Sequence, residues 1–429
     1  MKIISVCKKD YKEQLNKMLE LRKEENLDKI DDIVKMIIEK VKKEGDSALI
    51  DFTSQFDKVA LPFVSVSEDE INEAMEIVSL ELLEIIKEAK NNIWDYHQRQ
   101  VQQSWMYYKN DGIALGQKVT PIENVGIYVP GGKAAYPSTV LMNAVPAKIA
   151  GVKRIVMVTP PGSDGKINPH ILAAAKIAEV DEIYKVGGAQ SIAALAYGTE
   201  SILPVDKIVG PGNIYVARAK KQVFGKVNID MIAGPSEICI LADESANPQF
   251  AAADLLSQAE HDEMASSILI TTSINLAEKV KDAVKEQMKS LNRTQIISQA
   301  LEQNSGIFVT EDMDTAIEIA NEIASEHLEI MTNNAFELLP KIRNAGAIFL
   351  GHYAPEPLGD YFAGPNHTLP TSGTAKFSSP LGVEDFIKKS SVIYYNSEEL
   401  GKVKDKIDKF ALHEGLDAHA NAIKVRFNQ

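Results

Sequence analysis

Cysteine is scarce in this sequence, with Cys7 and Cys239 the only two in 429 residues. That excludes a disulfide framework and a thiolate metal cluster, and it fits a reducing compartment, the cytoplasm. Long hydrophobic runs are lacking as well. The run from Met1 to Cys7 meets Lys8, Lys9 and Asp10 at once, too soon for a secretion signal. The most apolar stretch, Thr139 to Ala150, contains Asn143, Pro146 and Lys148, and it falls short of the roughly 20 apolar residues of a membrane span. Positive charge is in deficit: the formal net charge is −14, and no Lys/Arg run reverses it locally, which excludes nucleic acid and anionic membrane as expected partners. Internal repeats, low-complexity tracts, HExxH and GxGxxG are all missing. What is present is an ordinary globular composition, 45% hydrophobic and 25% charged, enough to bury several cores in at least two domains around a small-molecule partner.

From Asp10 to about Lys118 the chain reads as charged helix, with Ile30, Ile33, Val34 and Ile37 recurring at helical spacing and little Gly or Pro. From Val125 onward, short β-branched runs at 125–129, 154–158, 182–186 and 227–232 alternate with Ala-rich helical stretches, the pattern of a parallel α/β unit. The alternation resumes with Glu237 to Leu241, a helix opened by Asn247-Pro248, and Ser267 to Thr271, and it continues to Phe349, which implies a second α/β body. Between His352 and Pro380 lies a segment rich in Gly, Pro, Ser and Thr, far longer than the usual loop of roughly 4–6 residues, as functional loops often are. The tail reads as a strand at Ser391 to Tyr395 followed by helices.

Six of the eight histidines, His261, His327, His352, His367, His413 and His419, fall at or after position 261. Gln258 and His261 stand three apart in an Ala/Leu-rich helix and so share a face. Together with Asp360 in the long polar segment and His419 near the carboxyl end, they make a donor set acceptable to Zn²⁺: two imidazoles, a carboxylate and an amide oxygen. Such a Gln/His pair serves equally well as a hydrogen-bonded helix surface, and spacing alone leaves both readings open. Glu326 and His327 are adjacent at the end of a helix that begins near Asp314. A carboxylate beside an imidazole can divide acid–base work, whereas a His in a last helical turn is also favoured by the helix dipole. The glycine turns at 126–132 and 209–213 leave strand candidates, and each suits either a phosphate or a plain strand-to-helix connection. Cys239 lies in the apolar run Ile238 to Leu241 and reads as an inert core thiol.

Taken together, these segments resemble the histidinol dehydrogenase family over nearly the whole chain. The most specific block runs from Ile229-Asp230 through Ala233-Gly234-Pro235-Ser236-Glu237 to Asp254-Leu255-Leu256-Ser257-Gln258-Ala259-Glu260-His261. Further matches, all in order, are GIYVPGG at 126–132, VGGAQ at 186–190, GPGN at 210–213, SEHLE at 325–329, GDY at 359–361, GPNHTLPT at 364–371 and HEGLDAH at 413–419. Cys239 departs from the pattern, where an aliphatic residue is usual. The resemblance implies one zinc ion per subunit on Gln258, His261, Asp360 and His419, with Glu326 and His327 as the acid–base pair. It implies NAD against Tyr128, Gln190 and Asn213. Substrate would be held by Ser236, His327, Asp360, His367 and Glu414 together with the ligands Gln258, His261 and His419. For His97, His170 and His352 there is no such match, and core or surface roles are expected.

The implied fold is α/β, two incomplete Rossmann-like domains of aldehyde-dehydrogenase type plus small terminal domains. The expected boundaries are 1–24 for a small helical segment, 25–127 with 237–380 for the zinc and substrate domain, 128–236 for the NAD domain, and 381–429 for a C-terminal domain exchanged within a homodimer. The implied reaction is oxidation of L-histidinol through L-histidinal to L-histidine, the last step of histidine biosynthesis, by two hydride transfers to NAD⁺. A related zinc- and NAD-dependent dehydrogenase of another small alcohol is an alternative. So is a zinc hydrolase, because the same site suits water activation, or a non-catalytic ligand-binding protein.

Overall fold

The computed structural model describes residues 1–20, 27–131 and 135–427. The chain divides into two compact units, one made of 1–100 and 122–386, the other of 101–121 and 387–429.

The first unit opens with strand β1 (Lys2–Val6) where helix is expected for 1–24, and the helix follows only at Tyr11–Glu20, with 21–24 outside the described residues. Ile3, Ile4 and Val6 explain the strand: β-branched side chains suit a half-buried sheet edge, and a run of five is too short for periodicity to reveal it. In the second unit, β2 (Trp105–Asn110) and β3 (Ile113–Pro121) likewise replace expected helix. Two aromatic or β-branched runs joined by Asp111-Gly112 are a hairpin signal that the charged residues around them mask.

Back in the first unit, β4 (Asn124–Tyr128), β5 (Arg154–Thr159), β6 (Glu182–Lys185), β7 (Lys207–Val209) and β8 (Asn228–Ile229) form one all-parallel sheet in the order β6-β5-β4-β7-β8. Successive residues point to opposite faces. Ile155 and Met157 join a core with Val125, Ile127, Ile86 and Ile93, while Val156 and Val158 join another with Ile208, Val34, Ile37 and Leu49. Both faces are therefore covered, as a parallel sheet requires. Part of the cover comes from the helices Leu27–Glu44 and Leu80–His97, so 27–97 packs on this sheet, whereas the expected grouping sets 25–127 with 237–380. The apolar stripes of these helices are amphipathic anywhere, and only tertiary contact decides which sheet they cover.

The chain then enters a second parallel sheet through β9 (Glu237–Ala242), β10 (Ser266–Thr271), β11 (Gly306–Thr310), β12 (His327–Met331) and β13 (Ala347–Leu350), in the order β1-β11-β10-β9-β12-β13. Ile238, Ile240 and Ala242 face one core and Cys239 and Leu241 the other, with Cys239 buried beside Ile268, Phe308 and Leu328. In the long polar segment after His352, a short helix Glu356–Tyr361 precedes a stretch in which Asn366, Thr368, Leu369 and Thr371 are buried.

In the second unit, β14 (Ile387–Tyr395) pairs antiparallel with β3, giving the order β14-β3-β2, and the helices Ser397–His413 and Asp417–Lys424 follow. Among the described residues no helix is long and apolar enough to cross a membrane.

Candidate active site

Where the two parallel sheets of the first unit approach each other, a cleft of about 380 Å³ is lined from both. Pro130, beyond β4, and Gly210, Pro211 and Gly212, beyond β7, form one wall, at the point where the strand order of the five-stranded sheet turns back on itself. Ser236, Glu326 and His327, at the starts of β9 and β12, form the other wall with His261, Asp360 and His367.

Glu326 and His327 are not in a helical turn. The helix Met313–Ile323 stops at Ala324, whose φ of +51° is left-handed, and His327 is the first residue of β12. The helix-dipole explanation of His327 therefore falls away, and both side chains are buried in the cleft wall. Glu237 holds the pair. Its N–H donates to Glu326 Oε2 at 2.9 Å, and its carbonyl accepts from His327 Nδ1 at 3.1 Å. A carbonyl can only accept, so a neutral His327 carries its proton on Nδ1 and leaves the Nε2 lone pair for chemistry. Nε2 has no hydrogen-bond partner among the described residues and lies 3.8 Å from Asp360 Oδ1. Burial pushes the Glu326 carboxyl up to about 8, with Glu237 and Glu356 adding repulsion and His327 opposing. For His327, burial works against the charged ring, but the carboxylates of Glu326, Asp360 and Glu356 prevail and raise it to about 10.

His261, Glu356 and Asp360 each offer a donor atom, and these atoms all lie within 4.8 Å of one another. Glu356 is absent from the sequence-derived ligand set. Its signal was the four-residue spacing to Asp360, which puts both carboxylates on one face of the helix Glu356–Tyr361. Gln258 sits in the last turn of the helix Pro248–Ala259, whereas His261 lies just past its end, its N–H donating to the Gln258 carbonyl at 3.2 Å. The Gln258 side chain is fully buried, with neither amide atom hydrogen-bonded among the described residues. A buried amide oxygen without a donor is costly unless a cation takes it. Amide oxygen, imidazole and carboxylate together therefore fit a divalent metal. Burial acts to raise Asp360, yet His327, His367 and His261 hold it below the ordinary carboxylate range. The Nδ1 of His367 faces the Asp360 carbonyl at 3.1 Å, and its Nε2 stands 3.4 Å from Thr139 Oγ1. Burial keeps His367 below its usual value.

The three residues expected against NAD lie at or just beyond the ends of β4, β6 and β7, and none of them is among the residues that line the cleft. Tyr128 is buried, its hydroxyl accepts from the Gly188 N–H at 3.4 Å, and burial pushes it up to about 12. Gln190 is buried in the helix Gly188–Tyr197, with Oε1 lacking a donor among the described residues. Asn213 is exposed, and its side chain caps the helix Ile214–Val223 by accepting from Tyr215 and Val216. Of the first glycine turn, Gly132 lies outside the described residues. Glu414 and His419 belong to the second unit, where both are exposed and line an apolar groove with Phe410 and Leu416. His97 is buried, while His170 Nδ1 stands 3.1 Å from Asn168 Oδ1 and His352 Nε2 3.3 Å from Asn333 Oδ1.

A family model described as Histidinol dehydrogenase matches residues 20–427. A histidinol dehydrogenase of Clostridium acetobutylicum is 60% identical over 92% of this chain and 91% of its own length. One from Listeria monocytogenes is 57% identical over 97% and 98%. Among solved structures, the crystal structure of histidinol dehydrogenase from Elizabethkingia anophelis superposes with a TM-score of 0.92 at 40% identity, covering 99% of this chain and 98% of that one. With that family model matching residues 20–427 and relatives 57–60% identical along almost its whole length, this chain belongs to the histidinol dehydrogenase family.

Proposed function

We propose that this chain oxidises L-histidinol to L-histidine through L-histidinal, using two NAD⁺ and one zinc ion. The observation that carries the reading is a single cleft in which the Glu326–His327 pair adjoins His261, Glu356 and Asp360, opposite a glycine turn at the switch point of a parallel sheet. Gln258, His261 and Asp360 would hold the metal, with Glu356 within reach. A zinc ion, when bound, supplies Lewis-acid attachment for the amine and imidazole nitrogens of the substrate. NAD⁺, when bound, would supply the hydride acceptor for each oxidation, and family resemblance sets Tyr128, Gln190 and Asn213, at or just beyond the ends of β4, β6 and β7, against it.

In its neutral form, which a value of about 10 places on the alkaline side and whose tautomer the Glu237 carbonyl sets, His327 takes the hydroxyl proton on Nε2 as the first hydride leaves. Glu326, whose burial strengthens its conjugate base, takes a proton from the water that adds to the aldehyde. As water adds, protonated His327 returns its proton to the aldehyde oxygen and Glu326 passes its own to solvent, so that a neutral His327 then takes a proton from the hydrate as the second hydride leaves. Glu237 keeps Glu326 in place throughout, and Ser236 and His367 bound the substrate. Glu414 and His419 complete the site from a second copy of the chain, on family resemblance alone.

The test is the yield of NADH per L-histidinol, with and without a chelator. About two NADH per substrate, abolished by the chelator and restored by zinc, is expected from coupled alcohol and aldehyde oxidation. No NADH together with cleavage of an ester or amide would make the protein a zinc hydrolase instead.

A further inference from the structure

Lys220 heads the largest side chains buried almost completely, at 2% exposure, and the chemistry above does not use it. It sits in the last turn of the helix Ile214–Val223 and reaches back beyond that helix's own start. Its Nζ donates to the Gly210 carbonyl at 2.9 Å and pairs with the equally buried Asp230. Asp230 accepts from the Gly210 N–H at 2.8 Å through Oδ2 and from the Met231 N–H at 2.6 Å through Oδ1. One ion pair thus holds both polar groups of Gly210. The turn it holds is tight: Gly210 has φ of +112°, and a Cβ there would lie 2.2 Å from the Tyr128 carbonyl oxygen. Gly210, Lys220, Asp230 and Met231 all line the cleft.

Stability does not account for such a pair. Two charges taken out of water recover their desolvation cost only partly from each other, and an apolar pair of similar size would serve folding as well or better. A polar grip on both sides of one peptide does fix geometry, because each hydrogen bond removes a direction in which the turn can swing. We propose that Lys220 and Asp230 are positioning residues for the dinucleotide, a clamp that holds the turn Gly210–Asn213 against the end of β4 at the spacing NAD requires. The clamp rests on the reading that this turn is part of the NAD side of the cleft. Neither residue need touch the cofactor, since a displacement of about 1 Å in a supporting turn can cost on the order of 100-fold in rate.

The test is the double variant K220M/D230N beside D230N. In the double variant no buried charge is left unpaired, and the Asn oxygen still accepts from Gly210, but the carbonyl of Gly210 loses its donor. The expected result is a rise of about tenfold in KM for NAD⁺ and a matching fall in NADH affinity by fluorescence titration. Zinc content and KM for L-histidinol should stay near wild type, and D230N should shift less. Unchanged NADH affinity in the double variant overturns the clamp, as does an equal loss on both substrates with a lowered Tm, and so does unchanged affinity in K220M, which removes the same donor to the Gly210 carbonyl, should the double variant not fold. A wild-type protein that neither binds NADH nor reduces NAD⁺ overturns the NAD reading itself.

Discussion

Glu326 and His327 are neighbours in sequence but meet their surroundings differently. Glu326 turns toward the backbone N–H of Glu237, so its carboxylate is held by a donor that mutation of side chains does not remove. A Gln at that position keeps an oxygen for the same N–H and nearly the same volume, and it loses the ability to accept a proton from water. Glu326→Gln should therefore fold, bind metal and retain most of the first oxidation. Oxidation of added L-histidinal should fall by about 100-fold or more, the usual worth of a positioned general base. Stopped-flow measurement of NADH from each half-reaction checks this, and equal losses in both would remove Glu326 from water activation. His327 admits no such separation, because on the proposed route Nε2 serves both oxidations. The position of Glu356 beside Asp360 was not legible in sequence: it has no His or Cys neighbour and sits between Pro355 and Pro357, in a run that reads as loop, and only the folded helix brings it near Asp360.

Strands and helices were legible where they are long and repeated. The parallel alternation from Val125 to Phe349 appears as two parallel sheets, and the runs at 125–129, 154–158 and 182–186 fall on β4, β5 and β6. Edges were not legible. β1 is five residues at the end of a sheet, β2 and β3 carry charge on an exposed face, and the helix before Glu326 ends two residues early at a left-handed alanine. For β1 the deciding partner is β11, about 300 residues away, which no local window contains, whereas the β2–β3 hairpin and the left-handed Ala324 are local features that charge and helical periodicity mask. The helix Leu80–His97 ends in a similar long-range contact. His97 Nδ1 lies 2.8 Å from Gln100 Oε1, which also accepts from the Val383 N–H at 3.0 Å, while Nε2 is buried without a partner among the described residues. Burial holds His97 below its ordinary 6.5, against the weaker pulls of Gln100 and Glu384. The unfolded chain therefore binds a proton that the folded chain refuses, and stability falls as pH drops below about 6.5, by up to about 1.4 kcal/mol per unit of pKa difference. His97→Leu removes that acid sensitivity. The Tm advantage of wild type over the variant should shrink between pH 8 and pH 5 in calorimetry, and a constant gap would mean His97 titrates normally.

The largest question for the molecule is whether one chain suffices. The first unit contains the proposed acid–base pair and the candidate donors His261, Glu356 and Asp360, whereas Glu414 and His419 lie on the second, small unit and are exposed there beside apolar residues such as Phe410 and Leu416. Exposed apolar side chains next to polar groups expected in an active site are what a shared site would leave on a protomer described alone. The proposal of exchange between subunits has a clean genetic signature. His261→Asn removes a donor from the first unit and His419→Asn one from the second, so each variant alone should lose zinc and most activity. Mixed, unfolded and refolded together in equal amounts, they form heterodimers in half of the molecules. With exchange, one site of each heterodimer receives both changes and the other receives neither, so activity should return to about a quarter of wild type. If each chain completes its own site, every site in every dimer carries one defect, and the mixture stays as inactive as its parents.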